Sequence, residues 1–385
     1  MIITDTLKVA IIAGEPSGDL LASGLMANLI KNSKKPIQFF GIGGAKMAEY
    51  GLKSVCDMSI LSVGGYGFEV IRSIPYILYI RQKIIKQIIK FKPDVFIGVD
   101  APDFNFYVEK KLHQSGIKTV HYISPTIWAW RYERIYSIKK TTDLMLCIFP
   151  MEEAIYKKEN INARFVGHQL ANNTPLDIDT LKYKEQLGLK GIIFTILVGS
   201  RGSEIKSLGK IFIKTCNIIH RQVPNATFLF PFVNDKTKNL FVRELSNEDI
   251  KFKYQVFVDQ TSHAIRASDM VMAKSGTVTL EVALCKKPLI VSYKVSKFTE
   301  WLVRRKIKIK YASQPNILLN EEIAPELLQD KANPENLAIH FMALYKDLAR
   351  QARMAAKFRA LHLELSKQDD TTGALAVLEL INNEI

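Results

Sequence analysis

Three loops of this 385-residue chain set acids, cations, hydroxyls and glycines directly after short apolar runs. DVFIGVD runs into Asp100-Ala-Pro-Asp103; ILVGSRGSE carries Gly199, Ser200 and Arg201; and MVMAK precedes Ser275-Gly276-Thr277-Val278-Thr279-Leu280-Glu281. A carboxylate at the end of a buried strand suits a general base, because partial burial raises its pKa toward working pH. Asp100 has that place, although Asp100 or Asp103 can equally cap the helix that follows. In the second loop Gly199 makes the turn and Arg201 offers a guanidinium fork for a phosphate or pyrophosphate. A surface arginine in a turn is the plainer reading. In the third, Ser-Gly-Thr at a helix start leaves backbone N–H groups for an anion, and Glu281 can take two ribose hydroxyls. An ordinary cap built on Thr277 and Glu281 fits the same residues.

A fourth loop, AGEPSGDLL (13–21), also follows an apolar run but matches neither G-x-G-x-x-G nor G-x-x-x-x-G-K-[ST]. Gly14 and Gly18 would let a ligand approach the backbone, and Ser17 would present N–H and hydroxyl at a helix start. Other candidates carry less. Trp128 and Trp130 can stack on a ring or fill a core. Asp177-Ile-Asp179 is formally a D-x-D but sits in a polar stretch rather than after a buried strand. The histidines lack H-x-x-x-H spacing, so no metal site is expected.

The loops need elements to hold them. Continuous apolar runs at 8–14, 37–44, 94–100, 119–124, 144–150 and 164–168 read as strands of a parallel sheet buried on both faces. Between them, Ile80, Ile84, Ile85, Ile88 and Ile89 make a helical stripe. The pattern restarts with runs at 192–200, 227–233, 254–259, 270–276 and 288–295. This predicts an α/β fold of two doubly wound, Rossmann-like domains facing a cleft: residues 1–170, a linker over 171–187, and residues 188–385 with terminal helices. Ligands are then expected beyond the carboxyl ends of the strands, where the four loops lie.

The net charge of +15 fits nucleic acid, phosphorylated substrates or an anionic membrane, and also plain solubility. The four cysteines are far apart, which points to a reducing compartment rather than a disulfide framework. The start of the chain does not read as a signal peptide, and no apolar run reaches 18 residues, so membrane contact would come from the side.

AGEPSGDLL, GIGGAKM, DAPDFN, HYISPTIWAWR, FVGHQLA, GSRGSEI, SGTVTLE and QPNILL occur in one order from about residue 8 to at least residue 330. The chain thereby resembles the lipid-A-disaccharide synthases. The resemblance implies a GT-B glycosyltransferase with C-terminal helices crossing back. It would transfer 2,3-diacylglucosamine from UDP to 2,3-diacylglucosamine 1-phosphate (lipid X), with inversion and without metal or other cofactor. It implies Asp100 as the base toward the acceptor's 6-hydroxyl and Arg201 at the UDP diphosphate. Gly199, Ser200, Ser275, Gly276, Thr277, Thr279, Glu281 and Asn316 would complete the UDP-sugar site. The UDP site then belongs to the second half, so Gly14, Glu15, Ser17, Gly18 and Asp19, with Asp103, are expected on the acceptor side. The resemblance also implies a peripheral enzyme on the cytoplasmic face of a Gram-negative inner membrane, no nucleic-acid partner, and a homodimer with exchanged C-terminal parts.

Two stretches depart from the family pattern. Val198 stands where a proline usually precedes GSR, and SVGGYGFEVI (62–71) is one residue longer than its counterpart, unsettling the match of Glu69. Residues 64–90 are expected to admit acyl chains, with Phe68 and Ile74 at the membrane. Two other readings compete. Another GT-B enzyme, such as a UDP-N-acetylglucosamine 2-epimerase or a muramyl-type transferase, shares the SGT-x-x-x-E logic but is not expected to combine it with WAWR and GEPSGD. A two-domain sugar- or nucleotide-binding protein would not need Asp100.

Overall fold

The computed structural model describes residues 6–61, 68–129, 131–295 and 310–382. The chain forms two compact units, residues 1–172 with 365–385, and residues 173–364. The first unit contains β1 (Leu7–Ala13), α1 (Pro16–Asn32), β2 (Ile37–Ile42), α2 (Ala45–Ala48), β3 (Lys53–Ser54), α3 (Phe68–Phe91), β4 (Val95–Val99) and α4 (Pro102–His113). It continues through β5 (Lys118–Tyr122), α5 (Arg134–Ile138), β6 (Leu144–Cys147), α6 (Pro150–Lys158), β7 (Ala163–Phe165) and α7 (Gln169–Asn173). Its strands are parallel in the order β3-β2-β1-β4-β5-β6-β7. Winding departs one way from β1 and the other way from β4, so the loops after these strands part and leave a crevice at their carboxyl ends.

The continuous apolar strands serve two faces. Val9, Ile11, Val95, Ile97 and Val99 pack on Leu25, Met26 and Leu29 of α1. Ala10, Ile12 and Phe96 pack on Ile80, Ile84, Ile85 and Ile88 of α3 and on Val108 and Leu112 of α4. Each such isoleucine contributes about 1.5–3 kcal/mol by leaving water. Ile89, expected in the same stripe, is 40% exposed: its predecessor Ile88 takes the buried direction, and the next residue turns about 100° away.

The second unit contains α8 (Thr180–Gln186), β8 (Ile193–Leu197), α9 (Gly202–Gln222), β9 (Thr227–Phe232), α10 (Asp235–Ser246), β10 (Lys253–Val258), α11 (Thr261–Ala267), β11 (Met270–Lys274) and α12 (Val278–Leu284). It closes with β12 (Leu289–Tyr293), α13 (Gln314–Leu319), β13 (Glu326–Leu328), α14 (Pro334–Lys346) and α15 (Leu348–Leu365). Its parallel sheet runs β10-β9-β8-β11-β12-β13. Phe194, Phe228, Phe230 and Phe341 are fully buried in one core with Phe358 of α15.

Two boundaries differ from the sequence expectation. The expected linker, 171–187, holds α8, whose N-cap Asp179 accepts from the Lys182 N–H at 3.1 Å. The last helix, α16 (Asp370–Asn382), belongs to the first unit rather than to a domain spanning 188–385. Ala374 and Val377 are fully buried beside α1, and Lys118 Nζ donates to the Leu380 and Ile381 carbonyls at 2.9 and 3.3 Å. A lysine there satisfies orphan carbonyls and opposes the helix dipole. The returning chain also explains the glycine of FVGH. Gly167 has φ 83°, and a Cβ there would lie 1.9 Å from the Gln368 carbonyl oxygen.

Candidate active site

In the first unit, Asp100 and Ala101 follow β4 with φ of 51° and 44°. Two successive non-glycine residues in the left-handed region cost about 1–3 kcal/mol each, so the turn must be over-determined by its surroundings. The fully buried Asn105 does this, donating through Nδ2 to the Asp100 carbonyl at 2.8 Å and the Val99 carbonyl at 3.3 Å. The Asp100 N–H donates to the Tyr122 carbonyl of β5 at 2.9 Å. Gly14 accommodates the bulge, since a Cβ on it would lie 2.9 Å from Ala101 Cβ. AGEPSGD and DAPDFN therefore meet. The turn presents the half-buried Asp100 at the carboxyl end of the sheet. Neither aspartate caps α4: the N-cap is Ala101, and Asp103 is an exposed first-turn acid 2.7 Å from Arg134. Asp103 is thus tied to a guanidinium in this structure.

Glu15 and Ser17 are exposed at the head of α1, while Gly14 and Gly18 are buried. Asp19 corrects the expectation of an acceptor ligand. It is buried, and its carboxylate accepts from the N–H groups of Gly44 (2.8 Å), Lys46 (3.0 Å) and Met47 (3.2 Å). Asp19 therefore fastens the GIGGAKM turn to α1 and leaves little accepting capacity for a ligand. Gly44 is glycine because a Cβ would lie 2.5 Å from Asp19 Oδ2.

Beyond β5, Trp128 Nε1 donates to Glu152 Oε1 at 3.1 Å, and the Phe149 N–H donates to Glu152 Oε2 at 3.2 Å. Burial pushes the Glu152 carboxyl up to about 8 against these bonds. Trp128 is thus anchored by its polar edge; Trp130 lies outside the described residues, as do residues 62–67 and the side chains of 68–74, which include Phe68, Glu69 and Ile74.

In the second unit, β8 and β11 are neighbours, so the Gly199–Arg201 and Ser275–Thr277 loops emerge side by side. Glu204, in the first turn of α9, binds them together. Its Oε2 accepts from the Ser200 and Arg201 N–H groups at 2.9 and 3.2 Å, and Lys274 Nζ lies 2.7 Å from its Oε1. Burial works to raise the Glu204 carboxyl, but Lys274 and the two backbone bonds outweigh it and hold the group below its ordinary value. Gly199 has φ 131°, and a Cβ would lie 2.5 Å from Glu204 Oε2. The Lys274 ammonium sits 3.6 Å from where a Gly276 Cβ would be, over the Ser-Gly-Thr turn. Arg201 is exposed at the start of α9. Sequence reading passed over Lys274 and Glu204; the signal was a lysine closing an otherwise apolar strand, MVMAK.

The third loop of this cluster is SQPN. Ser275 Oγ donates to the Ala312 carbonyl at 2.6 Å, and Thr279 Oγ1 accepts from the Gln314 N–H at 3.3 Å. Thr277 is exposed, whereas Thr279 is buried with its hydroxyl also donating to the Gly276 carbonyl at 2.7 Å. Burial raises the Glu281 carboxyl above its ordinary value, opposed by a Ser262 hydroxyl bond and the Arg266 charge. Asn316 corrects the expectation of a donor-side amide. Fully buried, it donates to the Ala324 carbonyl and Glu326 Oε1 at 2.7 and 2.8 Å and accepts from the Ile323 and Ala324 N–H groups at 3.0 and 2.9 Å. An amide with both donors and both lone pairs engaged has nothing left for a sugar. Glu326 Oε1 also takes the Ser313 N–H and hydroxyl at 2.8 and 2.7 Å, so this half-buried acid and Asn316 jointly shape the loop. Among the described residues no cluster of metal-ligating side chains occurs. Asp177 of the D-x-D pairs with Arg359, and Asp179 is a helix cap.

The family model described as lipid-A-disaccharide synthetase matches residues 9–378. The chain belongs to the lipid-A-disaccharide synthase family. Membership makes it a glycosyltransferase of GT-B fold, built from two Rossmann-like units. A lipid-A-disaccharide synthase of Chromobacterium violaceum is 43% identical over 97% of this chain and 97% of its own length. That of Neisseria meningitidis serogroup B is 42% identical over 96% and 97%, and that of Glaesserella parasuis 38% identical over 99% and 100%. Among solved structures, the UDP-GlcNAc 2-epimerase of N. meningitidis bound to UDP-GlcNAc has a TM-score of 0.59 at 12% identity, covering 98% of this chain and 100% of its own. A putative UDP-N-acetylglucosamine 2-epimerase of Listeria monocytogenes scores 0.60 at 14% identity, covering 98% and 96%. At such identities the likeness concerns the fold.

Proposed function

We propose that the chain moves 2,3-diacylglucosamine from UDP to the 6-hydroxyl of 2,3-diacylglucosamine 1-phosphate, with inversion at the anomeric carbon, giving the β-1,6 disaccharide 1-phosphate and UDP. The observation that carries this reading is the Asp100 turn, which exposes a carboxylate at a strand end at the cost of backbone strain. Asp100 takes the proton of the attacking hydroxyl. Gly14, Glu15, Ser17 and Gly18 of the neighbouring loop serve the acceptor. In the second unit, Gly199, Ser200, Arg201, Ser275, Gly276 and Thr277 hold the UDP diphosphate, and Glu281 holds the ribose. As the glycosidic oxygen leaves, negative charge grows on the diphosphate; Arg201, seconded by Lys274, stabilises it. Glu204 keeps the two loops in register, while Thr279 and Asn316 act as supports.

The acyl chains and the inner-membrane surface are met by α3. On this helix Tyr76, Leu78 and Tyr79 are exposed (50%, 43% and 60%), with Lys83, Lys86 and Lys90 exposed further along. Aromatic and apolar groups beside lysines suit an anionic interface. Among the described residues no helix is long and apolar enough to cross a membrane. Turnover of the UDP-diacylglucosamine and 1-phosphate pair in detergent tests the reading. Disaccharide must form, chelator must leave the rate unchanged, and the new linkage must be β; epimerised UDP-sugar in its place would refute it.

A further inference from the structure

The second unit holds a cavity of about 380 Å³ lined by residues including Leu176, Asp177, Thr180, Lys286, Lys287 and Arg359. The turn Cys285–Pro288 ends α12 and leads into β12, so the cavity lies at the amino end of that strand. The Arg201 and Ser275 loops lie at the carboxyl ends of β8 and β11, beyond the other end of α12. The cavity is therefore separate from the candidate diphosphate site.

Its cations come from two elements, the turn after α12 and helix α15. Arg359 is engaged by Asp177 at 2.5 Å. The lysines lack such partners. Lys287 is 7% exposed, and its Nζ donates to Thr180 Oγ1 at 2.7 Å; Lys286 Nζ lies 2.6 Å from His362 Nδ1. Among the described residues neither ammonium has a carboxylate within ion-pair distance. A buried ammonium held only by a hydroxyl or an imidazole pays for desolvation with little Coulombic return. Burial accordingly pushes both lysines down to about 8. Lys286 is faced by Cys285, Arg359, Asp177 and His362, and Lys287 by Cys285, Asp269, Lys184 and Thr180. Asp177 and Asp269 act on them only at longer range.

We propose that this cavity binds a small tetrahedral oxyanion, inorganic phosphate or a phosphate monoester, between Lys286, Lys287 and Arg359. The anion supplies the counter-charge both ammoniums lack, and the Thr180 hydroxyl keeps a proton to donate to it. Because the site needs the lysines charged, its affinity falls as pH rises through about 8.

The test is thermal unfolding of the full chain at pH 7, with phosphate replacing chloride at constant ionic strength. A ligand that binds only the folded state raises the midpoint with the logarithm of its concentration. The rise must persist in Arg201→Ala, which empties the diphosphate site of its guanidinium. In the double variant Lys286→Met, Arg359→Gln, phosphate affinity must fall at least about tenfold. Lys286→Met alone, at a half-buried position, serves if the double variant does not fold. A midpoint indifferent to phosphate overturns the proposal. So does a rise retained in the Lys286 variants, lost in Arg201→Ala, or undiminished at about pH 9.5.

Discussion

At the strand ends of the first unit, acids are largely turned inward. Asp19 holds the N–H groups of 44, 46 and 47, and Glu152 holds Trp128 and Phe149. Glu109, buried at 2.6 Å from His121 Nδ1, also accepts from the Thr142 hydroxyl at 2.9 Å. Asp100 differs in being held by its backbone, which leaves the carboxylate unspent. The strand ends of the second unit instead collect cations: Lys274 closes β11 and Arg201 opens α9. Glu204, the acid between them, sits on the Ser200 and Arg201 N–H groups, which a diphosphate would otherwise claim. One winding thus supports two opposite electrostatic tasks. The first unit leaves Asp100, with the exposed Glu15, among satisfied acids, and the second gathers positive charge while anchoring it with Glu204.

The sharpest way to break this contrast is Asp100→Asn. Asparagine tolerates the left-handed region, so the turn survives while the base is lost. The turnover number should fall about 10²–10⁴-fold with donor affinity unchanged. Near-normal turnover in a folded variant would remove Asp100 as the base. On the other side, Arg201→Ala should lower the turnover number about 10²–10³-fold, the usual loss for one donor at a developing oxyanion. Affinity for UDP should weaken as well, which separates the two units in binding assays.

Lys274 sharpens the comparison further. If its ammonium serves the diphosphate, Lys274→Met should weaken UDP binding about tenfold, the scale of one charged hydrogen bond, and Lys274→Arg should recover most of it. A loss of melting temperature with UDP affinity intact would make the lysine a structural partner of Glu204. Asn105→Ala tests the first unit's strain. It strips the Asp100 carbonyl of its buried partner and should cost about 1–3 kcal/mol in denaturant unfolding. Turnover should drop while the Michaelis constant for the UDP-sugar holds, because the base shifts and the donor site does not.

Much of this was legible in the sequence. Strands β1, β4, β8 and β11 are continuous apolar runs, and polar loops after such runs are where α/β ligand sites fall. Strands β3 and β13 escaped because two and three residues carry no periodic signal. The polar residues were harder to sort. Asp19 and Asn316 have the composition of ligands, and their consumption by backbone groups up to 28 residues away is a tertiary fact. The return of α16 came from the family resemblance alone and was not carried into the domain bounds, since its apolar stripe fits either unit until Gly167 is seen to make room for the crossing chain. Lys274 and Glu204 have unremarkable neighbours in sequence and matter through each other.

Glu152 also ties the stability of the first unit to pH. Burial holds the Glu152 carboxyl up near 8, whereas in the unfolded chain it titrates near 4.5. Between these values the folded state binds the extra proton, so stability falls as pH rises through the window. His168 opposes this lower down, because burial lowers it to about 4 and the unfolded imidazole near 6.5 binds the proton there. That makes stability rise with pH until about 6.5. Above about 8 the trend reverses again, since Lys286 and Lys287 titrate near 8 folded and near 10.5 unfolded. The span from about 6.5 to 8 therefore reports Glu152 most cleanly. Denaturant midpoints should decline across it in the parent protein and stay level in Glu152→Gln, whose neutral amide carries no proton to lose. An equal decline in both would assign the slope to another group and leave Glu152 ionised, as Asp100 must be to act as a base.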